Sequence, residues 1–293
     1  MKKIRRLYLQ NAAGQRYGLN GEKGVYVSGL SGLGLMLSPV FADLSRGFFI
    51  PVSDESDPQG TIAFSVFFTQ NAYATYRAFV DWLFNAGTIT LVYIPTGDQE
   101  FFRDVTLNFM QKGELNDVGW LEVPGSLFCN TPWYRPVPTS LVLETSDNGD
   151  IKRYDYEYSP ELRYGSDSTA ALSGTIAGAG HIPGALTLRY YGSITTPKIR
   201  LVGMVSGKTY GVCSIATVLS STDTLEFSTK YENSYAKKIS ASGEEADLLD
   251  VLDLSTEPFF HIPVNEPCTI SMESSDTFSG RADILVYYYY RSV

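Results

Sequence analysis

Apolar and polar residues alternate along most of the chain, in runs of four to eight residues that end at Gly, Pro, Asn or Asp. A period of two is typical of half-buried strands joined by short turns. Residues 61–68 and 88–94 are apolar enough to predict more deeply buried strands. Two further sets each share one strand face: Val105, Leu107 and Phe109; and Ile284, Val286, Tyr288 and Tyr290. The pattern predicts an all-β fold.

One segment departs from this pattern and predicts a single helix over residues 71–85. Asn71 is the predicted N-cap, and Gly87 lies just beyond the end. The predicted apolar face consists of Tyr73, Tyr76, Val80, Leu83 and Phe84. Such a helix has to bury its apolar stripe, most simply against one sheet.

The length of 293 residues predicts two domains, because a single core rarely keeps growing to this size. Three prolines, Pro132, Pro136 and Pro138, oppose both a helix and a central strand, so we place the linker within residues 129–138. The predicted domains are residues 1–135 and 136–293. Residues 166–184, rich in Ser, Ala and Gly, predict a long loop or a weak strand, and Asn148-Gly149 predicts a hairpin turn.

The net charge of −9 lies almost entirely in the second half of the chain. Residues 1–140 carry 11 Lys and Arg against 12 Asp and Glu, which leaves 12 against 20 and a net charge of −8 for the rest. A chain of this balance is poorly suited to gripping a phosphate backbone, which requires clustered cations. It can still surround DNA without holding it.

Three widely spaced cysteines, Cys129, Cys213 and Cys268, favour buried thiols over a disulfide framework or a zinc site. The basic opening at residues 1–6 turns polar again too soon for a signal peptide, and no run approaches the length of a membrane span. We therefore expect a protein that remains in the cytoplasm where it is made, without membrane insertion.

The chain offers little that suggests catalysis. Only His181 and His261 are available for a histidine-dependent site, and neither has a nucleophile beside it in sequence. Residues 146–148 and 234–237 match β-lactamase elements only in reversed order, and no K-T-G follows. We therefore predict no enzyme activity, no catalytic, cofactor-binding or metal-binding residues, and no cofactor.

Three other segments have structural interpretations that we prefer. The glycines of residues 29–34 lack phosphate-loop spacing and suit a loop that approaches another chain closely. Residues 243–250 lack the calcium-loop ladder and predict a solvated acidic turn. The tyrosines of residues 287–290 are expected to divide between core and surface, although a stacking platform for sugars or bases is the alternative.

The order of several segments resembles the distal tail proteins (Dit) of long-tailed phages. In the first half these segments are residues 7–11, Gly14, 17–20, 32–34, 79–83, 91–95, 103–107, 112–115 and 133–134. In the second half, similar to the family's galectin-like sandwich, they are residues 191–192, 197–203, 225–229, 259–263 and 289–291. The resemblance implies an N-terminal ring-forming β domain with one packed helix and a C-terminal galectin-like β-sandwich.

The resemblance also implies the function of a structural hub in a phage tail tip or baseplate. Six copies would form a ring that joins the tail tube protein to the tail-associated fibre or lysin protein and to receptor-binding proteins. DNA would pass through without specific binding, and the protein would reside in the virion after assembly in the host bacterial cytoplasm. A component of a tail-like bacteriocin would have the same structural role in a different particle. The alternative function is a carbohydrate-binding module, in the second domain, for a host cell-wall saccharide.

Overall fold

The computed structural model describes residues 5–34, 41–45, 48–51, 59–145, 170–274 and 279–293. The chain forms two compact units. The first contains Met1–Arg135 together with Tyr289–Val293, and the second contains Pro136–Tyr288. Residues 289–293 are predicted by sequence to lie in the second domain. They belong to the first unit, where the Tyr290 ring meets the Phe101 ring edge-on at 5.5 Å.

The elements of the first unit are strands with one α-helix. They are β1 (Arg6–Asn11), β2 (Arg16–Gly18), a 3-10 turn (Glu22–Gly24), β3 (Val25–Ser31), β4 (Phe41–Ser45), β5 (Phe48–Pro51), β6 (Thr61–Phe68), α1 (Ala72–Phe84), β7 (Ile89–Ile94), β8 (Phe101–Met110), β9 (Leu121–Cys129) and the start of β10 (Trp133–Thr145). Strands β4 and β5 pair only with each other among the described residues. The others form one antiparallel sheet in the order β2–β1–β7–β8–β9–β6–β3.

This sheet closes on itself at Asn20, between β2 and β3. The N–H of Leu19 donates to the carbonyl of Leu7 on β1, and the N–H of Val27 on β3 donates to Leu19 (both 3.1 Å). The Asn20 side chain completes the junction, because its Oδ1 accepts from the Leu7 N–H at 2.7 Å and its Nδ2 donates to the Leu7 carbonyl at 2.9 Å. An amide side chain therefore takes the place of a missing strand residue and leaves the sheet without a long free edge.

Helix α1 buries a face different from the predicted one. Asn71 precedes the helix, as predicted, but it adopts a left-handed conformation and makes no side-chain capping bond. The buried residues are Ala72, Phe79 and Leu83, whereas Tyr73 is 42% and Phe84 85% exposed. Phe79 decides the orientation, because its ring packs 4.8 Å from Tyr17 and 5.7 Å from Phe68. The predicted face omitted Phe79 and was wrong at Tyr73 and Phe84.

Two strand predictions also need correction. In β8, Val105 and Leu107 share a face, but the register shifts between Leu107 and Phe109, which leaves Phe109 48% exposed. The proline segment predicted as a linker is strand from Trp133 onwards. Pro136 and Pro138 lie two residues apart, so both missing N–H groups face one edge and the other edge can still pair.

The second unit is built from two antiparallel sheets. Its elements are the rest of β10, then β11 (Ala170–Ile176), β12 (Ile182–Thr195), β13 (Lys198–Gly203), β14 (Thr209–Ser214), β15 (Val218–Leu219), β16 (Thr224–Lys230), β17 (Asn233–Ile239), β18 (Glu245–Asp247), a 3-10 turn (Leu249–Val251), β19 (Cys268–Glu273) and β20 (Ser279–Tyr290). One sheet has the order β10–β11–β19–β13–β14. The other has the order β18–β17–β16–β12, with β15 and β20 also paired to β12.

Phe260 packs between these two sheets. Its ring lies 6.0 Å from Phe227 on β16, and a Cβ on Gly211 of β14 would come within 2.1 Å of its own Cβ. Only glycine fits at position 211 for that reason. The fold is all-β with one α-helix among the described residues, as the sequence predicted. The predicted turn at residues 147–150 lies outside the described residues.

Glu266 fixes the turn between β13 and β14. Its carboxylate accepts from the N–H of Val205 at 3.0 Å, from the N–H and hydroxyl of Ser206 at 2.5 and 3.0 Å, and from the Tyr210 hydroxyl. These bonds, the one from Tyr210 foremost, lower the pKa of Glu266 from 4.5 to about 2. The turn is therefore held by an ionised carboxylate.

The closure of the first unit is tested by Asn20→Ala, which leaves the Leu7 N–H without its partner. We expect the free energy of unfolding of this unit to fall by about 1–3 kcal/mol, measured by chemical denaturation. Asn130→Ala is the control, because the Asn130 amide bonds the hydroxyl of Thr106 at an exposed site. Equal effects of the two substitutions would contradict the closing role.

The Glu266 clamp predicts a pH dependence. Because its folded pKa of about 2 lies below the ordinary 4.5, Glu266 contributes stability above pH 4.5 that is lost as the pH falls towards 2. Glu266→Gln should lower the unfolding midpoint of the second unit at neutral pH, with a difference from the natural protein that closes over this range. Glu257→Gln, outside the clamp, should show no such convergence. A difference that stays constant down to pH 2 would refute the clamp.

Candidate assembly surface

The loop between β8 and β9, residues 111–120, is exposed along its whole length, and we call it the arm. Three of its large apolar side chains face solvent: Leu115 (42% exposed), Val118 (68%) and Trp120 (44%). Apolar side chains clustered in this way usually mark a surface that another molecule covers.

Asn116 gives the arm a defined conformation. Its Oδ1 accepts from the N–H groups of Val118 at 3.2 Å and Trp120 at 2.8 Å. Its backbone N–H donates to the Trp120 carbonyl at 2.8 Å, and its carbonyl accepts from the Gly119 N–H at 2.8 Å. An Asx turn of this kind stabilises a tight loop without help from outside it. The arm therefore presents its apolar side chains in an ordered arrangement.

The base of the arm is attached to α1. The Tyr73 hydroxyl donates to Oε2 of Glu114 at 2.7 Å, which raises the pKa of Tyr73. The Lys112 ammonium lies 4.7 Å from the centre of the Tyr73 ring. These contacts make the arm and the exposed side of the helix one continuous surface.

An open groove of about 900 Å³ runs along this side of α1. Tyr73, Ala74, Tyr76, Ala78 and Val80 supply an apolar lining, and Arg77, Asp81 and Lys112 add charge. In the described ranges Arg77 makes no ion pair, and neither does Asp81. The groove is mostly apolar with three charged side chains in its lining, which suits a protein segment better than a small polar substrate.

The two histidines lie in different surroundings. His181 is exposed in the loop before β12. His261 stacks on Tyr231, with ring centres 4.0 Å apart, and burial lowers its pKa. Across the described ranges, no three His, Cys, Asp or Glu side chains are grouped as metal ligands.

The other candidates have structural roles. Ser234 and Lys237 lie three residues apart on β17, hence on opposite faces, and Lys237 pairs with Glu226 and Glu245 instead. Residues 146–148 lie outside the described residues. The cysteines are all buried, and burial raises the pKa of Cys213 to about 12 and of Cys268 to about 11. Such thiols are poor nucleophiles.

Three predicted segments can also be placed. Gly32 has a φ of 84°, and a Cβ there would lie 2.1 Å from the Thr61 carbonyl oxygen, so this glycine serves a close approach within its own chain. A Cβ at Gly29 or Gly34 would meet nothing within 4 Å. In residues 243–250, the predicted acidic turn, every residue except the buried Leu248 is exposed, but Glu245–Asp247 form β18 instead of a turn. Among the terminal tyrosines, Tyr288 and Tyr289 are buried, while the Lys230 ammonium lies 4.3 Å from the Tyr287 ring.

Sequence reasoning missed the arm and the groove. The only signal for the arm was a turn sequence, Asn116-Asp117-Val118-Gly119, between apolar residues. No pattern signalled the groove, which depends on the rotation of α1 set by Phe79.

In the described part of the chain, no helix is both long and apolar enough to cross a membrane.

The chain is similar to solved structures of phage tail proteins. No curated protein matches the chain. A chain of the phage P2 baseplate in its activated conformation with calcium has 17% identity and a TM-score of 0.66, with 99% of this chain and 100% of that chain covered. The Dit protein of phage SPP1 has 10% identity and a TM-score of 0.58, with 98% and 99% covered. At these identities the two structures show a shared fold.

The family model of the distal tail protein N-terminal domain matches residues 6–130. The matched range runs from β1 to the end of β9, so it contains the closed sheet, α1, the arm and the groove. Residues 6–130 of the chain are therefore a distal tail protein N-terminal domain, from the family that the sequence resembles.

Proposed function

We propose that this chain is the structural hub of a phage tail tip or baseplate. Six copies form a ring through their first units, which joins the tail tube protein to the tail-associated fibre or lysin protein and to receptor-binding proteins. The observation that carries the proposal is the family match over residues 6–130, a range that includes the ordered apolar arm. The SPP1 Dit protein, which shares the fold, is described as a paradigm of the hub adsorption apparatus of phages that infect Gram-positive bacteria.

The surface of the first unit supports self-association through side chains. Its sheet closes at Asn20, so backbone pairing at an open edge offers little there. The arm and the groove instead expose apolar area that a neighbouring copy can bury. Obligate assemblies commonly bury about 2,000 Å² or more at each contact, with apolar centres.

The charge distribution supports a passive relation to DNA. Residues 1–140 contain 11 Lys and Arg and 12 Asp and Glu, which gives a net charge of −1. They therefore lack the excess of cations that binding to phosphates requires. A ring built from such units lets a genome pass without retaining it. The protein acts without catalysis, in the virion of a phage or in a tail-like bacteriocin, after assembly in the bacterial cytoplasm.

The ring is tested by light scattering on the purified full-length protein over a range of concentrations, since assembly follows mass action. We expect the mass to rise from that of one chain, 32.4 kDa, to a plateau at about six times that value. A mass that stays at one chain at every concentration would refute the hub.

A second candidate function, saccharide binding by the second unit, is favoured by one cluster. Glu226 on β16 has a side chain only 5% exposed, and it holds Nε of Arg189 at 2.6 Å and Nζ of Lys237 at 3.3 Å. Tyr235 lies beside them, its hydroxyl 3.5 Å from the Glu226 carboxylate. Fixed polar groups next to an aromatic ring can bind hydroxyls and stack on a sugar ring.

This second function predicts that the full-length protein binds purified cell-wall polysaccharide of the host. Arg189→Ala should weaken that binding at least about tenfold, the effect of one lost charged hydrogen bond or more. Lys198→Ala, on the other sheet, is the matched control and should leave binding unchanged. Binding that is absent, or unaffected by Arg189→Ala, excludes this site.

A further inference from the structure

We propose that the arm of one copy docks into the α1 groove of the next copy, and that this contact is the one repeated around the ring. The inference rests on the proposed function, because it names the surfaces through which the ring forms. Its occupant is a second copy of this chain.

The arm has the properties of an inserting element. It places Leu115, Val118 and Trp120 in solvent, and the Asn116 turn fixes their arrangement before any partner arrives. A preordered loop loses little conformational freedom on binding, so more of its buried apolar area contributes to affinity. Aromatic side chains such as Trp120 are typical of the residues that dominate interface energies.

The groove has the properties of a matching receptor. Its lining is apolar around Ala74 and Ala78, and its volume of about 900 Å³ can accept several side chains. Arg77, Lys112 and Asp81 also line it, which leaves one net positive charge in the groove.

The arm supplies the complementary charge. Asp117 lies at the tip, next to Val118, and in the described ranges it forms no ion pair. Arg77 is equally without an ion pair there. Docking the arm into the groove brings Asp117 towards Arg77 while the apolar side chains are buried.

The arm does not fill the groove of its own chain. Its base is held against α1 by Glu114 and Lys112, yet every residue from 111 to 120 is exposed and the groove stands open. The groove is therefore open to a segment from another molecule. The base of the arm adjoins the groove through Lys112, but the inserting side chains at 115–120 and the α1 side chains that line the groove are different residues, so the contact is head-to-tail, the type that generates rings.

A charge exchange tests the contact in the full-length protein. Asp117→Arg and Arg77→Asp should each raise the concentration at which rings form about tenfold or more, and the double variant should restore assembly. Glu257→Arg reverses an exposed charge in the second unit and should change nothing. Failure of the double variant to recover, after both single variants weaken assembly, would overturn the proposal.

A mixing experiment tests the head-to-tail arrangement. The arm variant carries Val118→Asp with Trp120→Asp, and the groove variant carries Ala78→Trp at an exposed helix position. Each alone should remain monomeric. An equal mixture should stop at dimers with one copy of each, because only one intact arm and one intact groove remain between them.

The outcomes separate this inference from the hub itself. If the natural protein forms rings and the arm variant still forms them, the inference is overturned and the hub stands. The same conclusion follows if the arm variant forms rings that no longer bind the tube protein. No rings from the natural protein would refute the hub. Circular dichroism checks that the variants fold. If the Ala78→Trp variant does not fold, the charge exchange between Asp117 and Arg77 decides the question.

Discussion

The amide of Asn20 is the contact on which the organisation of the first unit depends. By bonding both the N–H and the carbonyl of Leu7, it holds the segment after β2 against β1. The Leu19 carbonyl in that segment accepts from the N–H of Val27 on β3, which closes the seven-stranded sheet. A closed sheet satisfies its own backbone groups, so it has no long edge to offer a neighbouring chain. Helix α1 then lies against this sheet through Phe79, which leaves the opposite side of the helix in solvent.

This closure decides how such a unit can assemble. With the seven-stranded sheet closed, recognition between copies at that sheet falls to side chains that stand clear of it. The arm supplies apolar groups at a fixed position, and the groove beside α1 supplies a place to bury them. A contact made of side chains can be strong and specific without the aggregation hazard of an exposed strand. That combination suits a subunit that must assemble into one closed form.

Sequence patterns predicted the class of the fold but not its surfaces. The apolar runs at residues 61–68 and 88–94 identified β6 and β7, because short apolar runs are typical of buried strands. The helix was found, yet its face was wrong because Phe79 is selected by packing against Tyr17, which lies far away in sequence. The paired prolines 136 and 138 were expected to exclude a central strand, although one edge of β10 remains able to pair. Closure at Asn20 and the groove depend on tertiary contacts, so no local pattern could reveal them.

The most direct test of the account is electron microscopy of the full-length protein under conditions that favour assembly. Class averages should show closed rings of six copies around an open centre, as a hub that surrounds the path of the genome requires. Closed two-fold particles, open filaments or single chains at every concentration would contradict the account.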